Sequence, residues 1–161
     1  MPQSLAQLYV HVVFSTKDRE PWLDGAVRER THAYLASLLR DAGSPWVVVG
    51  GVEDHAHLLF DVGRTNSVAD IVEKVKRESS KFVKTLGDRY ASFTWQRGYG
   101  AFSVSPTLRG EAEAYVRNQE EHHRRQTFQE EYRAFLQRYS VAFDESLCVG
   151  LGLLGRCPRL R

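Results

Sequence analysis

The chain has 161 residues, 42% of them hydrophobic and 26% charged, with a formal net charge of +2. That length suits one domain around a single core, and the composition excludes a disordered or fibrous chain. No apolar run approaches the roughly 18 residues a membrane span needs, and Met1-Pro2-Gln3-Ser4 has neither the basic nor the apolar region of a secretory signal, so the expectation is a cytoplasmic protein without a membrane partner.

Leu5 to Ser15, rich in Val, Tyr and Phe, predicts a first strand. Asp24 to about Asp41 predicts a helix with apolar positions Val27, Tyr34, Leu35, Leu38 and Leu39, ended by Gly43 and Pro45. Trp46 to Val52 is a short β-branched strand, Glu53-Asp54 a tight turn, and His55 to Val62 the second arm of a hairpin. Ser67 is a good N-cap for a helix to Leu86, whose stripe is Val68, Ile71, Val72, Val75, Phe82, Val83 and Leu86. Gly98-Tyr99-Gly100 is a turn before a fourth strand, Ala101 to Ser105. Pro106 precedes a helix from about Leu108 to Gln126, and a last helix runs from about Phe128 to Tyr139.

The order βαββαβ followed by helices predicts an α+β fold. It is a ferredoxin-like antiparallel sheet with two helices on one face, and the C-terminal helices carry Tyr115. The sheet's other face is where chemistry is expected. The expected organisation is one domain over residues 1–143 and a tail over 144–161. Cys148 and Cys157 lack zinc-ligand spacing and read as free thiols, while Arg156, Arg159 and Arg161 read as a solvated end.

Alternation along His55-Ala56-His57-Leu58-Leu59-Phe60-Asp61-Val62 places Ala56, Leu58, Phe60 and Val62 on one face, uniformly apolar. His55, His57, Leu59 and Asp61 share the other. Two histidines at i and i+2 bring two imidazoles within reach of one metal ion, although a bare His-x-His also describes two hydrogen-bonded strand histidines.

Tyr115 and Gln119, four residues apart on a predicted helix, share a face with Glu111, Asn118 and His122. A tyrosine can attack a phosphodiester and become covalently linked to it, but a phenol with an ordinary pKa near 10 needs a polarised phosphate. A divalent metal supplies that polarisation, and the Gln119 carbonyl oxygen can serve as a third ligand beside the histidines.

These segments resemble those of the IS200/IS605-type transposases and the related REP-associated tyrosine transposases, which are HUH single-strand endonucleases with one tyrosine. Tyr9-Val10-His11-Val12-Val13-Phe14-Ser15-Thr16-Lys17-Asp18-Arg19 is similar to the family's first strand and its basic exit. Asp54-His55-Ala56-His57-Leu58-Leu59 is similar to the HUH strand, although the middle position is usually bulkier than Ala56. Phe93 to Val104 is similar to the segment leading into the fourth strand. Tyr115-Val116-Arg117-Asn118-Gln119 matches the pattern Tyr-x-x-x-Gln, and Thr127 to Phe143 is similar to the C-terminal helix.

The resemblance implies that Tyr115 is the nucleophile and that His55, His57 and Gln119 hold Mg²⁺ or Mn²⁺. The implied reaction is cleavage and rejoining of single-stranded DNA through a 5′-phosphotyrosine, on a substrate that includes a hairpin. It also implies a homodimer, in which the tyrosine helix of one subunit can serve the histidines of the other.

For DNA contacts the sequence offers Lys74, Arg77, Lys81 and Lys84, spaced as a basic stripe on one helix, together with Lys17, Arg19 and Arg97. Competing readings are a domesticated nuclease of this family, an HUH enzyme of the replication-initiator or relaxase type, and a non-catalytic ferredoxin-like nucleic-acid-binding module. A zinc hydrolase built on His55 and His57, with His11 or Asp61 as third ligand, is another.

Overall fold

A computed structural model of the chain describes residues 5–138. Four strands form one antiparallel sheet in the order β2-β3-β1-β4, with β1 at Tyr9–Ser15, β2 at Val47–Gly51, β3 at His55–Asp61 and β4 at Gly100–Val104. Helices α1 (Gly25–Asp41) and α2 (Val68–Lys84) are the crossovers, one between β1 and β2, the other between β3 and β4. Both pack on one face, which gives the ferredoxin-like arrangement the element order predicts.

The main core forms where α1 and α2 meet that face. Val12 and Phe14 of β1, Ala56, Leu58 and Phe60 of β3, Leu35 and Leu39 of α1, and Ile71, Val72 and Val75 of α2 are all buried there. Complete burial of a Leu or Phe side chain stabilises by roughly 1.5–3 kcal/mol. A one-residue slip of β3 would exchange these residues for the histidines, so the pattern pins the register. Ala56 faces this core, as its position in the strand predicts. The Ser67 hydroxyl accepts a hydrogen bond from the Asp70 amide (3.1 Å), which caps α2 as expected.

The opposite face is covered rather than open. Helix α3 (Arg109–Arg117) lies on β2 and β3, where Val116 packs with Val48 and Leu59. Helix α5 (Phe128–Arg138) lies over β1 and β4, where Phe128 and Leu136 pack with Val13 and Phe102. Two small cores therefore flank the centre of this face.

The single helix expected from Leu108 to Gln126 is broken. It ends at Arg117, Asn118 leaves helical geometry (φ −99°, ψ 25°), and a short helix α4 follows at Gln119–His123. The predicted first strand is also shorter, beginning at Tyr9 because Leu5 and Leu8 are exposed. Among the described residues no helix is long and apolar enough to cross a membrane. The tail from 144 to 161, with Cys148, Cys157 and its arginines, lies outside the described residues, as do positions 139–143 of the last predicted helix.

Candidate active site

The second face gathers the chemistry. His11, Val13 and Ser15 point there from β1, and His55, His57 and Leu59 from β3. The strands pair Ser15 with His55, Val13 with His57 and His11 with Leu59. Diagonal neighbours in such a ladder are within reach of long side chains, which sets His11 against His57.

His55 and His57 are both 0% exposed, and Gln119 is 1% exposed. His55 Nδ1 lies 2.6 Å from Asp54 Oδ1, and His57 Nδ1 lies 2.8 Å from His11 Nε2. These contacts occupy one nitrogen of each ring. The other nitrogens, His55 Nε2 and His57 Nε2, are buried without a hydrogen-bond partner, and so is Gln119 Oε1. A buried polar atom left unsatisfied costs about 1–3 kcal/mol. The three side chains that the sequence nominates as ligands thus each keep an unsatisfied atom in the interior.

Glu131 of α5 completes the group. Its Oε1 is 3.7 Å from His57 Nε2 and its Oε2 is 3.9 Å from His55 Nε2, too far for hydrogen bonds. One ligand atom from each of His55, His57 and Glu131 lies within 4.8 Å of the others, about twice a metal–ligand bond of roughly 2.0–2.2 Å. Gln119 Nε2 donates to Glu131 Oε1 (3.2 Å) and to the Tyr115 carbonyl (3.3 Å), and His123 Nε2 sits 3.0 Å from Glu131 Oε2. The break at Asn118 therefore keeps Gln119 in contact with Tyr115 while turning its amide toward Glu131.

The electrostatics suit a cation. Burial pushes the Glu131 carboxyl up to about 8, with the Asp54 charge adding to it. Burial holds His57 well below the ordinary imidazole value, aided by its histidine neighbours, and lowers His11 and His123 to about 4. The 3.7 Å approach of His57 to Glu131 is therefore not an ion pair, because this imidazole is neutral. A divalent ion would satisfy the free ring nitrogens and stabilise the carboxylate at once. Asp54 is the exception. Burial would raise it, but hydrogen bonds from His55 and Arg19 prevail and hold it at about 2. An anionic Asp54 receiving Nδ1–H leaves the His55 Nε2 lone pair facing inward.

Tyr115 stands beside this cluster in the same chain. Its ring centroid is 5.9 Å from that of His57, 6.0 Å from that of His11 and 4.8 Å from that of His122. Its hydroxyl makes no hydrogen bond among the described residues, and the ring lines a cleft of about 800 Å³ with His11, Glu111, Asn118, His122 and Glu131.

The basic candidates divide. Arg19 pairs with Asp54 (2.8 Å) and stacks over Phe128, so it supports the site from within. It reaches back because Asp18 and Arg19 both adopt positive φ (56° and 57°), an uncommon conformation for side chains other than glycine. Arg77 is paired with Glu73 and Glu78, and Lys81 with Glu78. Lys74 and Lys84 are exposed on α2, on the far side of the sheet from Tyr115. Lys17 and Arg97 are exposed where β1 leaves the sheet, next to Asp54.

Sequence reasoning misses Glu131 and His123, and it considers His11 only as an alternative zinc ligand. Glu131 carried a signal, a charged residue at apolar spacing between Phe128 and Phe135. His11 serves as a partner of His57 rather than as a zinc ligand, and Asp61 hydrogen-bonds the Trp46 amide (3.2 Å) at the other end of β3.

A family model described as "Transposase IS200 like" matches residues 4–119. Among solved structures, a protein from Deinococcus radiodurans R1 assigned as a transposase superposes with a TM-score of 0.58 at 21% identity, over 74% of this chain and 98% of that one. A REP-associated tyrosine transposase bound to a REP hairpin gives a TM-score of 0.49 at 10% identity, over 72% of this chain and 68% of its own. No curated protein matches.

Proposed function

The chain belongs to the family of IS200-like transposases, and from that premise we propose that it cleaves and rejoins single-stranded DNA with Tyr115 as nucleophile, beside a divalent cation held by His55, His57, Gln119 and Glu131. The observation that carries the reading is the set of unpartnered buried atoms, His55 Nε2, His57 Nε2 and Gln119 Oε1, gathered with the Glu131 carboxyl next to a phenol that faces a cleft. A donor set of two imidazoles, a carboxylate and an amide oxygen suits Mn²⁺ better than Mg²⁺, which favours all-oxygen ligands.

A cation held by these side chains would supply polarisation of the scissile phosphate and would offset charge on the departing 3′-oxygen. Tyr115 attacks phosphorus: its phenolic oxygen forms the new P–O bond, the bond to the 3′-oxygen breaks, and the phenol's proton leaves to the water of the cleft. The product is a 5′-phosphotyrosine and a free 3′-hydroxyl. Attack by another 3′-hydroxyl reverses the step and reseals a strand without a nucleotide cofactor. Asp54 keeps His55 in the tautomer that presents Nε2, and Arg19 holds Asp54.

The Tyr115 and His57 rings stand 5.9 Å apart within one chain, which supports a site whose tyrosine acts in cis. His55, His57 and Glu131 are also a donor set that zinc hydrolases use, with Glu131 in the place considered for His11 or Asp61. What favours DNA cleavage over that reading is the family together with the phenol beside the cluster. A non-catalytic module gives no reason for a buried His–His–Glu cluster at a tyrosine. The deciding experiment is incubation with labelled single-stranded DNA and Mn²⁺, followed by denaturing electrophoresis. The parent forms a protein–DNA adduct, and Tyr115→Phe binds the DNA but forms none. An adduct formed equally by the phenylalanine variant ends the proposal.

A further inference from the structure

Each of the two site histidines has one ring nitrogen engaged, and the two partners differ. His55 has Asp54, a carboxylate (2.6 Å). His57 has another histidine: Nδ1 of His57 and Nε2 of His11 are 2.8 Å apart, both rings are buried, and they stack with centroids 5.1 Å apart. His11 comes from β1, forty-six positions away in sequence, and is held from its other side by Phe135 (5.2 Å) and Tyr115 (6.0 Å), both edge to face.

We propose that His11 is the positioning residue of this site: its Nε2 accepts the Nδ1–H of His57, fixing the tautomer that turns the Nε2 lone pair of His57 toward Glu131 and Gln119, while its ring seats the Tyr115 phenol. The proposal rests on the metal-site reading above.

Two neutral imidazoles at this distance share one proton, so only two arrangements exist. If His11 donated, the proton of His57 would sit on Nε2. That N–H would be buried with Glu131 Oε1 3.7 Å away, beyond hydrogen-bond range, and the ring could not act as a ligand. If His57 donates, its Nε2 is a lone pair available to a cation, and the remaining proton of His11 sits on Nδ1. A hydrogen bond to the non-ligating nitrogen is the usual way a ligand histidine is oriented. Asp54 does this for His55 by charge, and His11 does it for His57 without adding charge to the interior. Because the same ring touches Tyr115, the orientation of the ligand and the place of the nucleophile are set together.

Two substitutions separate these contributions. His11→Phe keeps a ring against Tyr115 and Phe135 but removes the acceptor. His11→Gln loses the ring but keeps an acceptor oxygen at the reach of Nε2. In the metal-free protein, long-range ¹H–¹⁵N spectra of the histidine rings should place the His57 proton on Nδ1, and His11→Phe should shift it toward Nε2. Mn²⁺ affinity, measured by titration calorimetry without DNA, should fall about 10–100-fold in His11→Phe, the range for loss of such a partner, and stay within about threefold in His11→Gln. A parent spectrum with the His57 proton on Nε2 overturns the proposal. So does a folded His11→Phe variant with parental affinity, or a folded His11→Gln variant as weak as the phenylalanine one. Mn²⁺ binding that survives His57→Ala, or that the parent lacks, overturns the metal site itself and is thereby distinguished from a failure of His11 alone.

Discussion

The backbone of Gly50 in β2 passes so close to Val116 in α3 that a Cβ at position 50 would lie 1.9 Å from the Val116 carbonyl oxygen. Val116 follows Tyr115 directly, so this contact sets how near the helix of Tyr115 comes to the histidine strand. Gly50→Ala must lift or tilt α3. Overpacking of this kind costs about 1–3 kcal/mol, and a shift near 1 Å can reduce a reaction about 100-fold. The expected outcome is a lower melting temperature together with a DNA-adduct rate reduced at least about tenfold. Parental rate and stability in the variant would show that α3 does not depend on this approach.

Much of this geometry was legible in the sequence. The alternation of His55 to Val62 separates the core face from the site face, and the periodicity of α2 places its stripe. The Tyr115 and Gln119 spacing brings both to one place even though Asn118 breaks the helix between them. Other features depend on contacts distant in sequence. Gly50 reads as an ordinary strand residue until α3 is placed over it. His11 lies on the right face of β1, but its pairing with His57 follows from the β1–β3 register. Glu131 sits on an amphipathic helix whose docking against β1 and β4 no local pattern specifies.

Glu131 should separate metal binding from stability. Its carboxyl is pushed up to about 8 by burial, so at pH 7 it is mostly protonated in the metal-free protein. Glu131→Gln keeps a neutral group of the same shape, and the metal-free variant should stay within about 1 kcal/mol of the parent in chemical denaturation. Its Mn²⁺ affinity should fall at least about tenfold, because an anionic ligand is lost. Equal Mn²⁺ affinities in parent and variant, measured by calorimetry, would remove Glu131 from the ligand set.

Lys76 gives the fold a pH dependence remote from the site. Its Nζ donates to the carbonyls of Gln96 and Gly98 (both 2.7 Å) and lies over the Phe14 ring, and burial lowers it from 10.5 to about 8. Below about 8 it is charged in both folded and unfolded chains, and the full penalty of burying that charge opposes folding. Between about 8 and 10.5 the unfolded chain holds a proton that the folded chain has released, so stability rises with pH. Lys76→Met has no such titration. The difference in urea midpoint, parent minus variant, should increase between pH 7.5 and 9.5. A constant or falling difference contradicts the assignment.

The placement of the basic residues predicts which of them hold DNA. Lys74 and Lys84 stand on α2, which packs on the face of the sheet away from Tyr115, while Arg77 and Lys81 of the same helix are engaged by Glu73 and Glu78. Lys17 and Arg97 instead flank the place where Thr16 pairs with Trp95 and donates its amide to the Asp54 carbonyl (2.8 Å), at the end of the sheet where His55 begins. That end carries His55, while the cleft beside Tyr115 opens toward Ser103–Leu108 at the other end of β1 and β4, so a strand that spans the site face from one to the other meets Lys17 and Arg97. Each phosphate contact on single strands contributes about 0.7 to the slope of log affinity against log salt. Replacing both Lys17 and Arg97 by alanine should therefore weaken binding and reduce that slope by about 1.4, as measured by fluorescence anisotropy across a salt series. Replacing Lys74 and Lys84 should leave the slope unchanged. The opposite pattern would move the DNA path to the α2 face and, with it, away from Tyr115.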